Sequence, residues 1–197
     1  MINENFVIVG CLIAFFGSIS YLIDTIRGKV KPNRVSFLMW SLAPLVAFFA
    51  QIKEGVGISS LLTLTMGLTP ISIFIASFFS KKSEWKLTKF DLTCGFLSLV
   101  GFVLYLITQV GVVAIIFSIF ADGLASLPTI KKSFWFPETE SGYPYLTSAI
   151  SAAITMLTFK NWSITDSAFS IYILVVCLII FFLVQFKLGK KISTKFQ

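Results

Sequence analysis

The stretch Ala121–Ser133, ADGLASLPTIKKS, decides how the chain is read. It sets one acid inside an apolar run, passes through small residues to Leu127 and Pro128, and ends on Lys131 and Lys132, where a membrane surface is expected. Ser20–Lys31, SYLIDTIRGKVK, looks like a degraded copy of it. Thr25, Ile26 and Arg27 align with Thr129, Ile130 and Lys131 at a separation of 104 residues, and Pro32 and Pro137 follow at 105. That pairing predicts two halves built on one plan.

The surroundings of both stretches are lipid-like. The chain is 56% hydrophobic over 197 residues with a mean hydropathy of +0.91, against about 45–50% apolar for a soluble domain. A membrane-spanning helix needs roughly 20 mostly apolar residues, because backbone polar groups in hydrocarbon must be satisfied within the segment. Seven such runs can be drawn: Phe6–Ile26, Val35–Ile52, Ile58–Ser80, Asp91–Thr108, Val112–Ile130, Tyr145–Phe159 and Thr165–Phe186. The segment MINEN before the first run lacks the positive charge of a signal peptide, so that run is read as a span.

Basic residues test the count independently, since cytoplasmic connections are enriched in Lys and Arg. Fourteen of the sixteen fall in the first, third and fifth connections and the tail; Lys53 and Lys160 alone fall on the other side. This predicts a multi-pass protein of the cell membrane with its N-terminus outside and its C-terminus cytoplasmic. The net charge of +7 is then mostly topogenic, facing anionic lipid rather than nucleic acid, and the tail KLGKKISTK adds surface attraction. Cys11, Cys94 and Cys177 all lie inside spans and read as apolar thiols; there is no His. No metal cluster, cofactor motif or catalytic constellation can be assembled, which argues against an enzyme.

Along the chain, Asp24 near the end of the first run is either an interfacial ion pair with Arg27, three residues on, or part of a gate. Pro32 and Asn33 start the second helix as turn and cap. Trp40 is a belt aromatic or a pocket wall, and Pro44 a kink and candidate hinge. The third span carries Thr63, Thr65, Gly67, Thr69, Pro70 and Ser72, a polar, broken stretch near the midplane. Such hydroxyls either bond back along the helix or mark a transporter's binding site. The fourth span, opened by Asp91 as a cap, suits a lipid-exposed linker. In the fifth, Asp122 lies about 15 Å from the helix start. An ionisable group there costs at least ~2.5–3.5 kcal/mol and usually faces a cavity or pathway; the alternative is an Asp hydrogen-bonded across helices. The connection FWFPETE carries Glu138 and Glu140 among aromatics, and the sixth span is rich in Ala, Ser and Thr, including Ser151, suited to close packing. Asn161-Trp162-Ser163 fits a glycosylation sequon.

The chain is therefore expected to be an all-α integral membrane protein. Residues 1–80 form one triple-helix unit, 81–111 a cytoplasmic loop and linker helix, 112–186 a second triple-helix unit in parallel orientation, and 187–197 a basic tail. On the residues Leu127-Pro128-Thr129 followed by Lys131 and Lys132, and Val35–Trp40 after a basic loop, it resembles the SWEET and PQ-loop transporter superfamily. No Pro-Gln dipeptide is present, Asp24 stands where the first repeat would carry its proline, and no Asn lies inside a span.

The resemblance implies a small-solute transporter, for a sugar or another small polar metabolite, working by alternating access, and the single unpaired midplane acid, Asp122, is the candidate to bind a proton or a cationic group. Asp122, Trp40, Thr69 and Ser151 are the candidate substrate-binding residues. Pro44, Pro70, Pro128 and Asp24 are the candidate hinge and gate residues. A related family of this architecture carries nicotinamide riboside, which makes a vitamin precursor the second substrate class. The competing reading is a non-transporting receptor that meets partners through FWFPETE. Expected partners are the solute and the bilayer; a homo-oligomer is compatible with either reading, and no cofactor is called for.

Overall fold

The computed structural model describes residues 2, 3, 5–53, 60–108, 111–159, 162 and 164–195. These residues are all-helical, with no strand among them. The helices are α1 (Phe6–Ile26), α2 (Arg34–Lys53), α3 (Ser60–Phe79), α4 (Lys89–Ile107), α5 (Gly111–Trp135), α6 (Tyr143–Thr158), α7 (Ile164–Gln185) and α8 (Leu188–Lys195). Short 3-10 turns at Lys81–Ser83 and Pro137–Thr139 precede α4 and α6. The connection at 54–59, the turn at 109–110, and Asn161 and Ser163 of the sequon lie outside the described residues. So do the side chains of Thr63 and Thr65.

Helix starts follow local chemistry. Asn33 Oδ1 accepts from the backbone N–H of Val35 and Ser36, at 3.1 and 3.4 Å, opening α2. For α4 the cap is Thr88 rather than Asp91: Thr88 takes the N–H of Asp91 while the Asp91 carboxylate takes the N–H of Thr88, a capping box. The largest departure from the apolar runs is α5, which continues past Pro128 to Trp135. Proline disturbs the helical ladder one turn back, and there Ser36 Oγ on α2 donates to the Ala125 carbonyl at 2.6 Å. That bond ties α5 to α2 one residue past the Leu124 carbonyl that Pro128 leaves without its helical donor. Pro44 and Pro70 likewise lie inside α2 and α3.

Helices α1 and α4, and Ser167–Gln185 of α7, are each long and apolar enough to cross a membrane. Their outer faces carry Phe16, Phe96 and Phe182 exposed, which suits lipid contact. Packing follows a definite order: α3 lies on both α1 and α2, and α7 on both α5 and α6. Between these groups α1 meets α6 and α2 meets α5, while α4 packs on α5 and α2. The α1–α6 seam depends on missing side chains. A Cβ at Gly17 would stand 2.9 Å from Thr147 Cβ, and one at Gly10 would stand 3.1 Å from Ser151 Oγ.

α4 is not wholly lipid-facing. Asp91, Cys94, Gly95, Ser98 and Gly101 form a buried stripe at helical spacing. Ser98 Oγ donates to the Ala121 carbonyl at 2.6 Å. Leu92, Phe96, Leu99 and Val103 remain exposed on the other side. The core falls into two clusters, one of Tyr21, Val30, Phe37 and Ile73, the other of Tyr145, Ile180 and Val184; Trp40 touches both.

Candidate functional site

Asp122 sits half-buried on α5, facing α7. The Tyr172 hydroxyl on α7 donates to its Oδ2 at 2.7 Å. One turn on, Ser126 Oγ donates to the Asp122 backbone carbonyl at 2.9 Å and lies 3.3 Å from the same Tyr172 oxygen. Gly123 lies beside the phenol, whose oxygen would be 3.7 Å from a Cβ added there, an ordinary contact distance. A further turn on, Thr129 Oγ1 donates to Ser36 Oγ at 2.9 Å, so a line of hydroxyls continues along α5 toward α2. Among the described residues the Asp122 carboxylate accepts from the Tyr172 hydroxyl and from no cation, so it can exchange a proton or meet a cationic group without first breaking an ion pair.

Trp40 packs edge-on to Phe37, with ring centroids 5.2 Å apart, and lies against the cluster of Tyr145, Ile180 and Val184, on which Ile130, Val176 and Cys177 also pack. It is therefore an interior aromatic at the seam between the two cores. Asp122 meets α7 at Tyr172, whereas Trp40 packs on a cluster whose α7 members, Ile180 and Val184, lie about two and three turns further along that helix. Thr69 and Ser151 do not join them. Thr69 is on α3 and Ser151 on α6, and neither helix forms a packed interface with α5. Ser151 faces Gly10 across the α1–α6 seam, and its carbonyl accepts from Thr155 Oγ1 at 2.9 Å.

Asp24 forms an ion pair, but with Lys29 at 3.4 Å rather than with Arg27. The reason is the C-terminal turn of α1. Gly28, at φ +73°, reverses the chain, and the Lys29 N–H donates to the Asp24 carbonyl at 2.9 Å. That turn carries Lys29 back onto the carboxylate.

The sequence pattern missed a second polar centre. Lys131 is exposed as expected, over the Phe90 ring. Lys132, expected at the surface beside it, is buried: its Nζ stands 2.6 Å from Glu140 Oε1, with the two side chains 1% and 0% exposed. Glu140 Oε2 accepts from the Tyr21 hydroxyl at 2.7 Å, and the Tyr145 hydroxyl lies 3.5 Å away. Lys132 also donates to the Lys31 carbonyl and stands over the Trp85 ring. Beside it the Lys31 N–H donates to the Thr139 carbonyl at 2.8 Å. The clue in the sequence was an acid eight residues after a lysine, with Phe, Trp and Pro between them.

Among the described residues no group of three or more His, Cys, Asp or Glu side chains is placed to hold a metal. No protein-family model, curated protein or solved structure matches the chain.

Proposed function

We propose that this chain is a small-solute membrane transporter of the SWEET and PQ-loop kind. On this reading α1–α3 and α5–α7 are two parallel triple-helix units, α4 is the linker, and seven helices cross the membrane with the N-terminus outside and the basic connections in the cytoplasm. One observation carries the reading: the packing order is the same in both units. The third helix of each lies on its first and second, and the first helix of each meets the second helix of the other. That exchange is what a two-fold relation between the units produces, and on this reading the single linker helix α4 between them sets its axis along the membrane normal. The seams agree in detail. Thr25 is buried on α1 as Thr129 is on α5. Tyr21 on α1 meets Tyr145 near the start of α6, as the Ala125 carbonyl on α5 meets Ser36 near the start of α2.

Alternating access then amounts to rocking one unit against the other, with Asp122, Tyr172 and Ser126 as the polar element of the second unit and Trp40 as a wall at the seam. A sugar or other small polar metabolite is the first substrate class, and a nicotinamide-riboside-like vitamin precursor the second. A lone midplane acid supports proton linkage. The test is uptake into proteoliposomes by wild type and Asp122→Asn at several pH values. An unchanged pH dependence in the variant removes Asp122 from the mechanism.

A further inference from the structure

We propose that Lys132 and Glu140 form the gate that closes the pathway on the basic side of the protein. The inference rests on the two-unit transporter reading and adds the element that seals one end of it. Both residues belong to the second unit, on α5 and the connection to α6. They pair with each other inside that unit, so neither charge is left uncompensated when the units separate. What they present to the first unit is one acceptor and one donor. Glu140 Oε2 takes the Tyr21 hydroxyl of α1, and Lys132 Nζ gives a hydrogen bond to the Lys31 carbonyl in the α1–α2 connection. Such bonds to ionised groups are about twice as strong as neutral ones.

The seal is continued by main chain, through the Lys31 N–H and the Thr139 carbonyl. Rocking the units apart at this end breaks these three cross-seam bonds and brings the ion pair to water. The closed state therefore depends on the pair being neutral as a unit. Glu140→Gln keeps the shape and an acceptor for Tyr21, but leaves the Lys132 ammonium enclosed without its counter-charge. The open state, where that ammonium reaches water, gains population. Tyr21→Phe removes one cross-seam bond and leaves the ion pair whole, so it opens the seam by a separate route. The strength of the seam, and not the pair alone, is what each variant reads.

Cys177 is a built-in reporter. It lies on the same face of α7 as Ile180 and Val184 and packs against the cluster that these form with Tyr145, as Trp40 also does. In protein carrying Cys11→Ala and Cys94→Ala, a membrane-impermeant sulfonated methanethiosulfonate is applied to vesicles from the basic side or from the opposite side, and Cys177 modification is followed by mass spectrometry. Glu140→Gln is expected to raise the basic-side rate about tenfold or more, and Tyr21→Phe several-fold, with no rise from the opposite side. A Lys31→Cys/Thr139→Cys disulfide, joining main chains already in hydrogen-bond contact, returns the Glu140→Gln rate to that of the parent until it is reduced. Parent-like rates in both variants, with only a lowered melting temperature, would overturn the gate. Equal acceleration from both sides, meaning a loosened protein, would also overturn it. Solute uptake by the parent is scored separately: its absence beside one-sided acceleration sinks the transporter reading and leaves the gate standing.

Discussion

The Tyr172 hydroxyl donates a 2.7 Å hydrogen bond to the Asp122 carboxylate, joining α7 to α5 where α5 is otherwise lined by small residues. That bond is charge-assisted when the acid is ionised and weaker when it is protonated, so it couples the state of Asp122 to the fit of the two helices. Tyr172→Phe is expected to lower uptake roughly tenfold or more, the value of one hydrogen bond to a charged group. Ser126→Ala, which removes a bond to the backbone carbonyl of Asp122 and leaves that to its carboxylate, is expected to have a smaller effect. Equal losses in the two variants would contradict this.

The α1–α6 seam has no room at Gly17. Its missing Cβ would fall against Thr147, itself buried, and a methyl group there forces the helices apart. Gly17→Ala should cost about 1–3 kcal/mol, the usual range for overpacking. Thr147→Ala in the same chain should restore most of it. Denaturation of purified protein reads both, and an unchanged midpoint for the single variant would show that the seam yields.

Burying Lys132 against Glu140 makes a sharp asymmetry between single and paired replacement. Glu140→Leu leaves an enclosed ammonium with only the Lys31 carbonyl and the Trp85 ring, and is expected to destabilise by about 3–5 kcal/mol. Lys132→Met together with Glu140→Leu should recover part of that loss, since the apolar pair leaves no enclosed charge, while the buried Tyr21 hydroxyl, deprived of its acceptor, keeps the double variant about 1–3 kcal/mol below wild type. A double variant as unstable as the single one would mean that the hydrogen bonds to Tyr21 and Lys31, not the charges, hold this end together.

How far the sequence was legible follows from which forces act locally. The apolar runs located the helices because a long unbroken apolar stretch is a local property that no tertiary contact alters; the run Phe6–Ile26 coincides with α1. Small-residue packing was legible in α6, rich in Ala, Ser and Thr, and obscured in α4, where Cys94, Gly95, Ser98 and Gly101 sit among larger apolar residues. The fate of Lys132 was not legible. A lysine in a last turn looks the same whether it meets lipid headgroups or a buried acid, and the choice depends on how the FWFPETE connection folds back. Trp40 was readable as interior or interfacial, and only its contacts with both cores decide between them. Asp122 was found as an isolated acid, while its partner Tyr172, 50 residues away, carries no pattern that links the two.

The basic tail forms α8 and is tied back by an ion pair of 2.7 Å between Lys190 and Glu138. The hydrogen bond from Lys190 holds the Glu138 carboxyl below its usual range. A carboxylate with a depressed value in the docked state contributes fully above its undocked value and loses that contribution as pH falls through the docked one. Both side chains are about half exposed, so the effect is modest. A spin label at Ile192→Cys should become more mobile as pH falls below the ordinary glutamate range, and Lys190→Met should remove that step. Mobility unchanged by pH would show that Glu138 does not hold α8.

The most direct measurement is solute uptake by purified protein in proteoliposomes, against a panel of glucose, sucrose and nicotinamide riboside at several pH values, with Asp122→Asn beside wild type. Saturable uptake of at least one solute, with its pH dependence lost in the variant, is the result expected. No exchange of any of them, together with a soluble protein that co-purifies through the FWFPETE connection, would contradict it.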